Sequence, residues 1–236
     1  MICEDCLFLF IMNAIHHILK QTESAKVIAN HIDYAYYSAL DLSVTNEHLA
    51  QHKPATAQDY ERYIQQHLDN HQAQIAFGGY NETRNLYQRS TVFKNDNTDE
   101  RNIHIGLDLW INEAAPIYAA LDGKIHSFQN NDALGDYGPT IILHHIIDGF
   151  TFHTLYGHLS LDSLNEKKVG TFVKKGQQIA SLGLPPINGD YAPHLHFQII
   201  IDMENKTGDY PGVCSSKTLA FYLQNCPDPN LLLKIK

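Results

Sequence analysis

The sequence predicts a mainly β fold, an antiparallel β-sheet domain behind an N-terminal α-helical extension, and three observations carry that expectation. Apolar residues recur at helical spacing through the first 77 positions. After Gly79 the character changes to short β-branched segments separated by turn residues. Asp148-Gly149 stands between two such segments and supplies the positive φ angles that a tight hairpin needs. A chain of 236 residues accommodates one sizeable domain with an appended segment, so the boundary is drawn between an extension at 1–77 and a β domain at 78–236.

The elements follow in chain order. The apolar run 6–11 is preceded by Glu4 and Asp5, lacks the basic start and small-residue cleavage site of a signal peptide, and is too short to span a bilayer. One explanation is that translation begins at Met12, which makes 1–11 an artefact of start-site choice; a cytoplasmic protein is expected, with the cell envelope as the alternative. From Ile15, the positions Ile18, Leu19, Ala25, Ile28, Ala29 and Ile32 predict a first amphipathic helix. A second is signalled by Thr56 as N-cap with Asp59 three residues on, by the Tyr60, Tyr63, Ile64 and Leu68 stripe, and by a Gly78-Gly79 stop. A polar stretch through Asn81, Arg84, Asn85 and Arg89 and the 95–101 run marks the boundary. Strands are expected near 103–111, 116–120, 124–129, 140–146, 150–158, 171–174, 178–182 and 194–202. Turns fall at Asp122-Gly123 and Lys175-Gly176, and a short helix near 219–223 belongs to a C-terminal flap.

Composition narrows the function. Seventeen Lys and Arg against 26 Asp and Glu leave a charge of −9 with no basic cluster, which argues against a nucleic-acid partner. Cys3 and Cys6 form a Cys-x-x-Cys without a second pair at zinc-ribbon spacing, and Cys214 and Cys226 are expected to be buried free thiols. The 15 histidines require individual sorting, since imidazole is the commonest metal ligand.

Chemistry concentrates in Ile103-His104-Ile105-Gly106-Leu107-Asp108-Leu109, in Leu155-Tyr156-Gly157-His158-Leu159-Ser160 and in Ala192-Pro193-His194-Leu195-His196-Phe197. In a strand, His194 and His196 share one face while Leu195 and Phe197 enter the core. Full extension would hold His104 and Asp108 about 13 Å apart, so a common site requires a bend, which Gly106 permits. Two imidazoles and one carboxylate with an open fourth position suit a catalytic zinc. His158 ends the hairpin's second strand, where it can reach the rim of the same site. A lone histidine is more often structural than a ligand. His126, His144 and His153 are expected on solvent-facing strand surfaces, His145 beside the hairpin, and the histidines before residue 78 receive no role.

These motifs, over 103–200, resemble the lysostaphin-type or LytM-like zinc metallopeptidases, in family order and with family-like separations. The resemblance implies the antiparallel, duplicated-hybrid-motif-like sheet of that family. It implies one Zn²⁺ held by His104, Asp108 and His196, with His158 and His194 flanking the water and acting in proton transfer. Pro116 to Gly123, Tyr137-Gly138 and Val173 to Ile179 match connecting pieces of the family, whereas Leu184-Pro185-Pro186-Ile187-Asn188-Gly189 replaces its usual Gly-x-Thr-Gly approach. Gly78 to Glu82 with Arg84, and Gly208 to Val213, resemble a less studied branch, for which peptidoglycan is a less secure substrate. The expected function is hydrolysis of peptide bonds, in peptidoglycan or a related peptide. A non-cleaving binding or regulatory module of the same fold is one alternative. A biotinyl or lipoyl carrier, suggested by 116–125 and 173–182, is another, but no modified-lysine hairpin tip is recognisable. The sequence sets no oligomeric state.

Overall fold

The computed structural model describes residues 4–86 and 100–236. Cys3, Arg89 and positions 95–99 of the polar run lie outside the described residues. The helices are α1 (Glu4–Gln21), α2 (Glu47–His52), α3 (Ala57–His71), α4 (Leu219–Asn225) and α5 (Asn230–Leu233). The strands are β1 (Tyr37–Ala39), β2 (Ile75–Gly78), β3 (Glu82–Thr83), β4 (Ile103–His104), β5 (Leu107–Trp110), β6 (Pro116–Tyr118) and β7 (Gly123–Asn131). They continue with β8 (Gly138–Ile147), β9 (Phe150–Gly157), β10 (Phe172–Val173), β11 (Gln178–Ser181), β12 (His194–Ile200) and β13 (Val213–Cys214).

Eight strands form the main sheet in the order β1-β2-β5-β12-β9-β8-β7-β10, while β11-β6 and β13-β4-β3 form two smaller sheets. Every pair in the main sheet is antiparallel except β1 with β2. That pair is parallel because the chain leaves β1, runs through α2 and α3, and returns along the same direction into β2. The segment before residue 78 is therefore helical only in part: it adds two strands to the sheet, and the boundary expected after residue 77 falls within β2.

Three expected elements change their limits. The first helix ends at Gln21, and Ala25, Ile28, Ala29 and Ile32 are buried as irregular chain, with Ile28 bridged to Ile117. Their helical spacing reflects burial of a winding segment, which periodicity cannot tell from a helix. The second helix has the Thr56–Asp59 capping box but stops at Gln72 in the left-handed region (φ 52°), and the residues before Gly78 become β2. The strand expected over 103–111 is broken into β4 and β5, which enter different sheets. At the hairpin, Asp148 (φ 53°) and Gly149 (φ 82°) join β8 to β9 as the dipeptide predicts.

Alternation along β12 divides the core. Leu195, Phe197 and Ile199 pack into the largest cluster, with Ile15, Leu19, Leu109 and Tyr156. On the other face, one apolar cluster gathers Ile105, Ile142, Leu155, Ile200 and Tyr210, and another packs α3 through Tyr60, Tyr63 and Ile64 onto Ala76 and Trp110. His194, His196 and Gln198 belong to this second face, between those two clusters. Cys214 and Cys226 are buried and unbridged.

Candidate functional site

Register positions the central residues. His196 on β12 lies opposite Asp108 on β5 and Gly157 on β9, so one row across the sheet delivers an imidazole and a carboxylate side by side. His104 comes from the neighbouring three-stranded sheet, because the chain turns between β4 and β5. The turn brings His104 Nε2 to 3.3 Å from Asp108 Oδ1, where an unbroken strand would hold them far apart. Gly106 is required at this point, since a Cβ there would lie 2.3 Å from His196 Cε1.

Three donor atoms converge. His104 Nε2 lies 2.9 Å from His196 Nδ1, and His196 Nδ1 lies 3.2 Å from Asp108 Oδ1. All three residues are buried, and their ligand atoms lie within 4.8 Å of one another. The outward ring nitrogens are occupied: His104 Nδ1 donates to Gly79 O at 2.8 Å, and His196 Nε2 donates to Gln198 Oε1 at 2.9 Å. With these tautomers, assigned from their partners, two imidazole lone pairs and a carboxylate oxygen face each other without a proton between them. Burial pushes His104 down to about 4, so protonation does not relieve the arrangement near neutrality. A cation does, and tetrahedral bonds of about 2.0–2.1 Å give ligand-to-ligand edges of about 3.3 Å. The donor set fits one metal ion.

The carboxylate is anchored from behind. Arg84 is 1 % exposed, donates from Nη1 to Asp108 Oδ2 at 2.6 Å, and pairs through Nε with Glu82. Burial alone would raise Asp108, but the facing His104 and Arg84 outweigh it and keep the carboxyl well below its ordinary value. Arg84 thereby occupies Oδ2 and leaves Oδ1 directed at the two imidazoles.

His158 and His194 stand beside this group, with ring centroids 4.2 Å apart. His158 Nδ1 donates to Asn188 O at 2.8 Å and His194 Nδ1 donates to Ala192 O at 2.7 Å, which leaves each Nε2 as an acceptor. His194 Nε2 is 3.8 Å from Asp108 Oδ1, and Trp110 stacks on the ring. Burial lowers both histidines, most strongly His158, where His194 and His196 add to the effect. His158 is in the left-handed region (φ 61°) and is pinned there by its N–H to Tyr137 O (2.9 Å) and by Gly183 N–H to its carbonyl (2.8 Å). The five residues line a cleft of about 170 Å³ together with Tyr137.

Arg84, Gln198, Gly79 and Asn188 help to build this site, and the sequence suggested no role for them. Gln198 was within reach of strand parity, being the next same-face position after His194 and His196. Asn188 O and Gly79 O act through backbone carbonyls, which leave no side-chain signal. Among the remaining histidines, His145 is buried beside the hairpin, while His153, expected on a solvent-facing surface, is only 7 % exposed. Its face of β9 continues from Leu155, in the core, and the cover extends over it, which overturns the solvent-facing expectation because strand alternation does not show how far cover reaches.

Residues 102–208 match the family model of peptidase family M23. Over 99 residues the chain is 34 % identical to the peptidoglycan DD-endopeptidase ShyB of Vibrio cholerae serotype O1; the match takes in 42 % of this chain and 20 % of that relative's length. Among solved structures it is similar to the catalytic domain of the antimicrobial peptidase lysostaphin from Staphylococcus simulans, at 29 % identity and a TM-score of 0.36 over 51 % of this chain and 80 % of that one. The catalytic domain of the prophage-encoded M23 protein EnpA from Enterococcus faecalis matches at 23 % identity and a TM-score of 0.36, over 50 % and 85 % of the two chains.

Proposed function

We propose that the chain is a zinc-dependent endopeptidase that hydrolyses amide bonds in peptidoglycan or a related peptide. The observation that carries this reading is the convergence of His104 Nε2, Asp108 Oδ1 and His196 Nδ1 at the floor of a cleft, with two further imidazole acceptors beside them. The match to the M23 peptidase family model and the similarity to a DD-endopeptidase support the substrate class. Zinc is the ion that two imidazoles and one carboxylate with an open position suit, and when bound it supplies Lewis-acid polarisation and activation of water near neutral pH.

The chain's own residues do the rest. His104 and His196 are held in one tautomer by Gly79 O and Gln198 Oε1, so their lone pairs point inward without reorganisation. His158 Nε2 and His194 Nε2 are neutral acceptors at the cleft wall, placed to take the proton of the attacking water and return it to the leaving amine. Trp110 and the Asn188 carbonyl fix those two rings. Retention of all five residues favours a cleaving enzyme over a binding module of the same fold.

The test combines metal analysis of the purified chain with digestion of peptidoglycan and of a peptide library, with and without chelator. His104→Ala and Asp108→Ala should lose the zinc. His158→Ala and His194→Ala should keep it while turnover falls about 10²–10⁴-fold, the range for a lost general acid or base. Normal zinc content in the first pair, or unchanged turnover in both of the second, would refute the assignments.

A further inference from the structure

Three more histidines meet on the same face of the sheet. His126, His144 and His153 come from the adjacent strands β7, β8 and β9. His144 lies directly opposite His153. His126 is the extra residue of a β-bulge between Ile125 and Ser127, so it and Ser127 share a face that strict alternation would deny one of them. The contact between His126 Nδ1 and Ser127 Oγ, 2.8 Å, is the result. The group stands about 13 Å of strand rise along β9 from Gly157, beside His196.

His153 stands nearly as close to each of the other two rings as the imidazoles of the first site stand to each other. The centroid of His153 is 4.9 Å from that of His126 and 5.2 Å from that of His144, against 4.8 Å between His104 and His196. His153 is enclosed, and its Nδ1 has no hydrogen-bond partner. A buried imidazole nitrogen without a partner costs free energy that a bound ligand recovers. Burial and the neighbouring His126 and His144 lower His153 to about 3, and burial lowers His126 as well, so both rings are in the neutral form that coordinates metals. A surface cavity lined by His126, His153, Asp202 and Phe8 gives an entry path. Lys206, on the same cavity, is paired with Glu204 at 3.2 Å.

We propose that His126, His144 and His153 form a second metal site that takes one divalent transition cation of the zinc, nickel or copper class through imidazole nitrogens. The nitrogens are less tightly gathered than those of the first site. His126 and His144 are half-buried, and the proposal requires their side chains to turn toward His153. Imidazole sites prefer these ions over magnesium or calcium, which select oxygen.

Metal-stripped full-length chain titrated with Zn²⁺ against a chromophoric chelator, and weighed intact under native conditions, should bind two equivalents. The double variant His126→Ala/His144→Ala alters only half-buried side chains and should bind one. His104→Ala should bind one as well, and adding His126→Ala/His144→Ala to it should abolish binding. Loss of the second equivalent with the outer pair supports the proposal even where no peptidase activity is found. A wild-type chain that binds a single equivalent, or a folded double variant, checked by circular dichroism, that still binds two, overturns it.

Discussion

His196 is gripped through both ring nitrogens: Nδ1 faces His104 and Asp108, and Nε2 is 2.9 Å from Gln198 Oε1. Gln198→Leu removes the acceptor that sets this tautomer, and zinc affinity should fall about 10–100-fold, read by competitive chelator titration. Unchanged affinity would mean that packing alone orients the ring. A different histidine, away from the site, contributes to the response to acid. His145 is fully buried, donates to Asp122 O at 2.8 Å, and lies 2.7 Å from Thr154 Oγ1; burial lowers it from 6.5 to about 4. The unfolded chain takes up this proton near 6.5 and the folded chain resists until about 4, so its contribution is complete above 6.5 and is lost as pH falls through that window. At pH 5 the loss is about 2 kcal/mol by linkage. Urea unfolding at pH 7.5 and pH 5 should show His145→Gln with a correspondingly flatter pH dependence; equal slopes in both proteins would rule this out.

The decisive element is the break between β4 and β5. Apolar alternation over 103–111 reads as one strand, and the parity argument placed His104 and Asp108 on one face but too far apart, with Gly106 as the residue able to relieve the distance. The structure uses the break to send β4 into a second sheet, and Gly106 is needed as much for the His196 ring as for the backbone. Gly106→Ala should therefore behave as a site variant. Its methyl group displaces His196, and bound zinc should fall with at most a modest drop in melting temperature. Full metal content in that variant would contradict the close approach. Where signals were local, as in the Thr56–Asp59 box and the Asp148-Gly149 turn, the elements formed at the expected positions. Where they depended on distant partners, as in β1, β2 and β13, no short-range pattern announced them.

For the molecule as a whole, the first 77 residues share the sheet and the core of the β domain. β1 and β2 extend the main sheet past β5, α1 supplies Ile15 and Leu19 to the largest core cluster, and Gly79 O orients His104. A chain begun at residue 78 should lose cooperative thermal unfolding and aggregate, monitored by circular dichroism and light scattering. A monomeric truncation that melts as sharply as the full chain would restore the simple extension. No helix among the described residues is long and apolar enough to cross a membrane. The sequence by itself located seven of its eight expected strand segments after residue 102 and the central hairpin, because alternation and turn chemistry are properties of neighbouring residues, while the roles of the five clustered side chains came from the family resemblance that their motifs carry. Tertiary structure alone decided the parallel β1-β2 pair, the Arg84 anchor behind Asp108 and the carbonyls that set each tautomer. Those depend on which distant backbone and side-chain groups pack together, and no local periodicity records that.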